Sequence, residues 1–318
     1  MTMRTSRVDE IPVPPQSYRL KHIFIVTTPK GGSGKTETAD CLEAALSLTG
    51  LSVGLVDVDD GNRGLLRRVG KENVIKLDWS TAATAAPDWA SRRALDHEAI
   101  IFDLGAGIDS SDLPIMSFLG SVWRLLADHG VRITVCAVIS TNAHTSAFLE
   151  RLERKFDGLG TVVPVLNNQD GSASFQNGMC DSARKNLRLG MMEPGFQIVR
   201  LSRKERLSAV IANPAQNFRL ASAFMGHRVA RFARHPVLAD LINSSHLKRF
   251  GSANGDTPEL HYTVRTMKAA SDYAIEANAR LKKSYDLLLD PSIKPHEAFE
   301  AITSFQKRNK TYKEISRG

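Results

Sequence analysis

The chain has 318 residues, of which 42% are hydrophobic and 24% are charged, a composition ordinary for a globular protein. No apolar run approaches the roughly 20 residues of a membrane-spanning helix, so no transmembrane segment is expected. The three cysteines, Cys41, Cys136 and Cys180, lie far apart and in no metal-ligand spacing. This argues against a disulfide framework and for a reducing, cytoplasmic location.

The net charge of +8 is unevenly distributed along the chain. Residues 1–180 carry 18 Lys and Arg against 21 Asp and Glu, a balance of −3, whereas residues 181–318 carry 24 against 13, a balance of +11. This asymmetry predicts that the C-terminal part contacts a polyanion, either nucleic acid or an anionic membrane surface. A solvated basic face without a partner is the alternative.

In chain order, residues 1–21 are predicted to be an extended lead-in, and apolar runs then alternate with amphipathic stretches. The predicted strands are His22–Thr28, Val53–Val58, Val74–Trp79, Ala99–Phe102, Val131–Ile139, Val162–Leu166 and Phe196–Leu201. The predicted helices between them are Lys35–Leu48, Gly64–Val69 and Thr145–Phe156. This alternation predicts an α/β domain over residues 22–245, a mostly parallel sheet flanked by helices.

Beyond the last predicted strand the pattern is helical, and residues 250–318 are predicted to form a helical C-terminal extension. Apolar residues recur on one helix face from Leu260 to Leu288, until Pro291 ends the pattern. This stripe fits either a short coiled-coil seam or packing onto the preceding domain.

The segment Lys30-Gly31-Gly32-Ser33-Gly34-Lys35-Thr36 lies between the first predicted strand and the first predicted helix. In such a turn the backbone N–H groups converge on phosphate, and the helix N-terminus adds positive potential. We expect Lys35 to reach the β- and γ-phosphates of a nucleotide and the Thr36 hydroxyl to ligate Mg²⁺. Pro29 replaces the first glycine of the standard motif, and Lys30 adds a second lysine.

This loop resembles the deviant Walker A loop of the ParA/MinD family of P-loop ATPases, whose pattern is Lys-Gly-Gly-x-Gly-Lys-Thr/Ser. The resemblance covers about residues 22–205, and Ser33 departs from the Val or Ala most often found there. It implies a homodimer that closes on ATP, in which Lys35 contacts the phosphates of its own subunit and Lys30 those of the other. It also implies slow ATP hydrolysis, stimulated by an activating partner protein.

The second predicted strand ends in Val56-Asp57-Val58-Asp59-Asp60, which resembles the family's Asp-x-Asp-Pro segment with Asp60 in place of proline. Because alternate residues of a strand share a face, Asp57 and Asp59 are predicted to point to one side. The resemblance implies that Asp57 lies near the Mg²⁺ ligands and that Asp59 orients or activates the attacking water. A solvated acidic turn is the alternative.

Two further strand ends carry candidate site residues. Asp103 follows an apolar run in the Walker B arrangement, which holds Mg²⁺ through water. Gly105 and Gly107 follow it and resemble the switch II turn of the MinD-like branch, where they would let the backbone move when the γ-phosphate leaves. Asn167 ends a later strand, and the resemblance implies that it contacts the adenine edge.

Arginine recurs every third residue at Arg228, Arg231 and Arg234. This spacing predicts a ridge on one helix side that contacts DNA phosphates without reading sequence. The alternative is that these arginines pair with acidic groups of the first half.

The resemblance then implies a DNA-associated ATPase for plasmid or chromosome partition or for conjugative transfer. A MinD-like, membrane-cycling regulator of division or of a secretion or pilus machine is the alternative, with a short apolar face near Phe299 and Phe305. Iron–sulfur carriers of the superfamily are not expected, because Cys41 and Cys136 have no Cys-x-x-Cys partner.

Overall fold

The structure, a computed structural model, describes residues 19–79, 96–111, 113–141, 146–168, 175, 186–190, 203–213 and 219–242. The strands are β1 (His22–Thr27), β2 (Val53–Val58), β3 (Ile75–Lys76), β4 (Ala99–Leu104), β5 (Arg132–Ser140), β6 (Thr161–Asn167) and β7 (Leu187–Leu189). The helices are α1 (Lys35–Ser47), α2 (Gly64–Val69), α3 (Pro114–Asp128), α4 (Ser146–Lys155), α5 (Leu207–Ala212) and α6 (Arg219–Ala233). Short 3-10 turns lie at Ile108–Ser110 and Pro236–Leu238.

The seven strands form one sheet in the order β3-β2-β4-β1-β5-β6-β7, and each neighbouring pair is parallel. All residues of β1, β2 and β4 are buried. Their sequences are nearly continuous Val, Ile, Leu and Phe runs, as expected for parallel strands covered on both faces. The predicted fold class is therefore confirmed.

Each face of the sheet carries its own hydrophobic core. On one face, α3 and α4 contribute Leu119, Trp123 and Leu152. On the other face, the central helix α1 packs against α5 and α6 as well as the sheet, with Leu42 and Phe232 in the shared core. The sheet is thus held rigid from both sides, and its C-terminal edge carries the loops described below.

The strand order places the predicted site residues at one edge. β1 occupies the centre, with β4 and β2 on one side and β5 and β6 on the other. The order reverses around β1, and ligands of open α/β sheets bind in the crevice at such a point, beyond the carboxyl ends of the strands. The loop after β1 and residues at the ends of β2, β4 and β6 meet there.

Several predicted bounds differ from the structure. β3 has two residues instead of the predicted Val74–Trp79, because the backbone beyond Leu77 bonds to side chains: the Leu77 carbonyl accepts from Arg63, and the Trp79 N–H donates to Asp60. Helix α3 and the three-residue strand β7 were not predicted; the Leu-Arg-Leu of β7 is too short to show a period. The predicted strand Phe196–Leu201, most of the lead-in and the extension 250–318 lie outside the described residues.

Candidate functional site

The glycine-rich loop leaves β1 after Thr27 and enters α1 at Lys35. Gly32 and Gly34 have φ angles of +75° and +96°, a region that side chains with a Cβ disfavour. Gly34 is the N-cap of α1, and no side chain caps this helix. The amide groups at the start of α1 therefore lack the usual internal acceptor, and an anion such as phosphate is the ligand that satisfies them.

Two side chains hold the loop in this shape. The Ser33 hydroxyl donates to the Lys30 carbonyl at 2.6 Å, and Asn167 Nδ2 donates to the Ser33 carbonyl at 2.8 Å. A Cβ on Gly34 would lie 2.1 Å from the same Asn167 amide nitrogen. Asn167, which is 4% exposed, thus fixes the phosphate-binding loop, and its predicted contact with the adenine edge stays a prediction.

The two lysines of the loop have different environments. Lys35 is 7% exposed, and its Nζ lies 3.9 Å from Asp59 Oδ2. Lys30 is exposed at the surface of the loop. The buried lysine therefore faces its own site, whereas the exposed one is accessible to another molecule.

Asp103 lies at the base of the site in β4. Its Oδ2 accepts a hydrogen bond of 2.8 Å from the Thr36 hydroxyl, while its Oδ1 is buried without a protein partner. Burial raises the pKa of the Asp103 carboxyl to about 7, the nearby Lys35 lowers it, and Asp57 raises it further. A hydroxyl beside a carboxylate with an unpartnered oxygen fits Mg²⁺, which is commonly bound by one or two carboxylates together with substrate phosphates.

Asp57 is the register partner of Asp103 on the neighbouring strand. Its Oδ2 accepts the backbone N–H of Leu66 at 2.9 Å, and its Oδ1 accepts that of Asp59 at 3.0 Å. Burial raises the pKa of this carboxyl, and the two backbone hydrogen bonds lower it. Asp57 thus lies beside the predicted metal position, but its observed contacts hold α2 and the acidic turn in place.

Asp59 begins the turn between β2 and α2. Its Oδ1 accepts the backbone N–H groups of Gly61 and Asn62, both at 3.0 Å, which leaves Oδ2 directed at Lys35. Arg63, with a left-handed φ of +48°, pairs with Asp60 and Asp78 and closes the turn from the other side. The predicted acidic cluster is therefore an ordered turn with Asp59 next to the phosphate loop.

The segment after β4 is also tied to the loop. The Gly107 N–H, at a φ of +71°, donates to the Thr28 carbonyl at 2.9 Å. Asp109, which no sequence pattern indicated, is 3% exposed and accepts hydrogen bonds from Thr27 and from Arg151 of α4. A backbone change at the predicted switch II turn would therefore reach both β1 and α4.

The predicted arginine ridge is not continuous. Arg231 and Arg234 are exposed, but Arg228 is 8% exposed and forms an ion pair with Glu37 of α1, Nη1 to Oε1 at 3.4 Å. The prediction of three arginines on one exposed side is thus wrong for Arg228, which adopts the alternative pairing with the first half. The physical reason is that three residues turn a helix by about 300°, so each step rotates the side chain about 60° away.

Glu37 and Arg68 were also missed, although both lie in the cavity above the loop. This cavity has a volume of about 310 Å³. Its lining residues are Gly32, Gly34, Lys35, Thr36, Glu37, Asn62, Arg68, Asn167, Gly190 and Arg228. The site therefore joins the loop to α2, to the ends of β6 and β7, and to α6.

The cysteines of the described residues lie in the core and do not reach this surface. Cys41 in α1 and Cys136 in β5 are completely buried, and burial raises the pKa of the Cys136 thiol to about 12. Burial likewise raises the pKa of the Cys41 thiol. Cys180 lies outside the described residues. Among the described residues, none of the helices combines the length and the apolar composition that spanning a bilayer requires.

No family model matches the chain. Two curated proteins share local similarity with it. The cytosolic Fe-S cluster assembly factor CFD1 of Eremothecium gossypii is 43% identical over 65 residues, which are 20% of this chain and 23% of that protein. The protein of the same name from Neurospora crassa is 34% identical over 113 residues, 33% of each chain. The chain thus spans about a quarter to a third of the length of the curated relatives it matches.

Solved structures of the predicted type are also similar. The MinC:MinD cell division protein complex of Aquifex aeolicus shares 18% identity over 66% of this chain and 95% of that chain, with a TM-score of 0.42. A ParA family ATPase from Chlorobium tepidum TLS shares 15% identity over 65% of this chain and 98% of that chain, with a TM-score of 0.41. Because both TM-scores are low, the fold is assigned from the strand order and the glycine-rich loop between β1 and α1, and not from these superpositions.

The predicted resemblance to ParA/MinD-type P-loop ATPases is confirmed, with the deviant loop at the predicted place between β1 and α1 of a parallel sheet. The finer prediction of a role in DNA partition has no support from these relatives. Neither curated relative is named for DNA partition, and both are named for iron–sulfur cluster assembly, a class that the cysteine spacing had set aside.

Proposed function

We propose that this chain is an ATP-hydrolysing switch that forms a homodimer around Mg²⁺ and ATP. One observation carries the proposal. Two pairs of side chains converge at the uncapped N-terminus of α1, behind a loop of positive-φ glycines. Lys35 Nζ lies 3.9 Å from Asp59 Oδ2, and the Thr36 hydroxyl lies 2.8 Å from Asp103 Oδ2. Phosphate ligands, a metal position and a carboxylate for the attacking water are the parts that phosphoryl transfer requires.

Each side chain has a distinct role in this proposal. Lys35 and the amides of Gly32 to Thr36 bind the β- and γ-phosphates. Thr36 and Asp103 would hold Mg²⁺, which neutralises charge on the phosphate oxygens when it is bound. Asp59 keeps Oδ2 directed into the site because its Oδ1 is fixed by two backbone amides, and it orients the attacking water.

Dimerisation follows from the second lysine. Lys30 is exposed on the loop, while Lys35 already supplies the charge within its own site. An exposed lysine at this position can reach phosphates bound by another subunit and so makes ATP part of the interface. Loss of the γ-phosphate would release that contact and allow the turns after Asp57 and Asp103 to relax.

Iron–sulfur cluster carriage is not part of this proposal. The names of the two curated relatives describe those proteins, and the matched stretch covers a minor share of them. Among the described residues, Cys41 and Cys136 lie inside the core with raised thiol pKa values, whereas a cluster needs accessible thiolates; Cys180 lies outside this part of the chain.

The surface partner that we propose is non-specific DNA, together with a protein that stimulates hydrolysis. Support comes from the excess of 24 Lys and Arg over 13 Asp and Glu in residues 181–318 and from the exposed Arg231 and Arg234. Replacing both arginines with Gln should weaken the salt dependence of DNA binding by the ATP-bound protein. The slope of the logarithm of the DNA-binding constant against the logarithm of the salt concentration should become about 2 smaller in magnitude. An unchanged slope, or retention on anionic liposomes in place of DNA, would contradict DNA as the partner and favour the membrane alternative.

The proposed activity is tested by measuring ATP turnover together with molecular mass in ATP and in ADP. The wild type should hydrolyse ATP and sediment as a dimer in ATP. Lys35→Ala should lose both properties, with turnover lower by about a hundredfold or more. The matched control is Lys71→Ala, because Lys71 is exposed in the turn after α2. Equal turnover in wild type and Lys35→Ala would refute the assignment of the site.

A further inference from the structure

Four charged side chains form a cluster beside the phosphate loop that the proposed mechanism does not use. Glu37 and Asp40 belong to α1, Arg68 to α2 and Arg228 to α6. Arg68 Nη1 lies 2.7 Å from Glu37 Oε2 and 2.9 Å from Asp40 Oδ2. Arg228 Nη1 lies 3.4 Å from Glu37 Oε1. Two carboxylates are thus balanced by two guanidinium groups from other elements.

Glu37 occupies a position where negative charge opposes nucleotide binding. It directly follows Thr36 in the first turn of α1, and it lines the same cavity as Gly34 and Lys35. A carboxylate at a helix N-terminus takes up the positive potential that a phosphate would use. It also repels the phosphates, and one unpaired like charge in the same cavity changes affinity by about tenfold or more at a protein surface.

Arg68 and Arg228 both contact Glu37 and neutralise its charge. Arg228 is 8% exposed, and its Nη2 donates to the Gly190 carbonyl just after β7, so its guanidinium is fixed between β7 and α1. The planar guanidinium can contact the Gly190 carbonyl and the Glu37 carboxylate at the same time, which the compact ammonium of a lysine does less well. Arg68 holds the other Glu37 oxygen.

We propose that Arg228, acting with Arg68, is a positioning residue that neutralises Glu37 and holds its carboxylate away from the bound nucleotide. The affinity of the site for ATP is then set partly from α6, the helix that leads towards the basic C-terminal part. This inference rests on the proposed function, because it requires that the nucleotide occupies the cavity above the loop.

The test is a double-mutant cycle on nucleotide affinity, measured by titration with a fluorescent ATP analogue in Mg²⁺. Arg228→Gln leaves Glu37 partly unpaired and should weaken binding about tenfold or more. Glu37→Gln removes the repulsion and should bind at least as tightly as the wild type. The double variant Glu37→Gln/Arg228→Gln should bind like Glu37→Gln alone.

A purely structural role for Arg228 predicts the opposite result for the double variant. If Arg228 only held α6 in place, the double variant would bind as weakly as Arg228→Gln, and the inference would be wrong. Arg124→Gln, an exposed arginine of α3, removes the same charge elsewhere and should bind like the wild type.

The remaining outcomes distinguish a failure of this inference from a failure of the proposed function. A wild type that binds no nucleotide overturns the proposed function, whereas wild-type affinity in Arg228→Gln overturns this inference alone. If Arg228→Gln does not fold, as judged by thermal unfolding, Glu37→Gln alone is decisive. Weaker binding by that variant would mean that the nucleotide needs the carboxylate, contrary to the inference.

Discussion

Replacing Asp103 with Asn should remove a loss of stability that the nucleotide-free protein suffers as the pH rises, while abolishing hydrolysis. Asp103 is 1% exposed, and its Oδ1 has no protein partner. Burial raises the pKa of its carboxyl from 3.8 to about 7. Between these values the folded state keeps a proton that the unfolded chain has lost, so the free energy of unfolding falls as the pH rises.

The magnitude follows from the pKa difference. A shift of about three units corresponds to about 4 kcal/mol, because each unit is worth about 1.4 kcal/mol. Asp103 therefore carries no electrostatic penalty below about pH 4, and it lowers the free energy of unfolding by this amount above about pH 7. An asparagine amide carries no charge at either pH, and any cost of its own hydrogen bonding is the same at both, so it cancels in the comparison.

Urea unfolding of the wild type and Asp103→Asn between about pH 4 and pH 8 measures this difference. The stability of the variant relative to the wild type should rise by about 4 kcal/mol across the range, with most of the change below pH 7. ATP turnover should be lost at every pH, because Thr36 and Asp103 are the proposed metal ligands. A pH-independent difference in unfolding free energy would refute the electrostatic description of this site.

Two other substitutions test neighbouring parts of the site. Asp59→Ala should lower turnover by about a hundredfold or more yet leave a stable dimer in ATP, because the phosphate ligands remain; sedimentation as a monomer in ATP would contradict this. Gly34→Ala should lower the unfolding free energy by about 1–3 kcal/mol, because φ is +96° and the new Cβ would meet the Asn167 amide. Gly31→Ala, where a Cβ meets no atom within 4 Å, is the stability control, and equal stability of the two variants would contradict the strain argument.

The sequence predicted those parts of the site that depend on local pattern. Strand β2 and helix α2 have the predicted bounds, and the loop lies between a strand and a helix as the glycine spacing indicated. Asp103 was predicted at the end of a buried strand, and the parallel register then places it opposite Asp57. These features follow from periodicity and chain order alone.

Contacts between distant segments could not be predicted in the same way. Asn167 donates to a carbonyl 134 residues away, and Arg228 pairs with a carboxylate 191 residues away. In the sequence, Asn167 was marked by its position at the end of a strand and Arg228 by the three-residue spacing of the arginines. Neither pattern predicts which distant residue the side chain contacts. Glu37 could have been noticed, because an acidic residue directly after the phosphate-binding loop repels a bound phosphate unless a cation neutralises it.

The central claim is that two chains share each nucleotide, with Lys30 acting across the interface and Asp59 within its own subunit. Lys30→Ala and Asp59→Ala should each be inactive alone. In a mixed dimer, one site would combine an intact Asp59 with the intact Lys30 of the other subunit. Random mixing of equal amounts should therefore restore about a quarter of wild-type turnover, since about half of the dimers are mixed and each has one complete site. A mixture as inactive as its components would contradict the shared site.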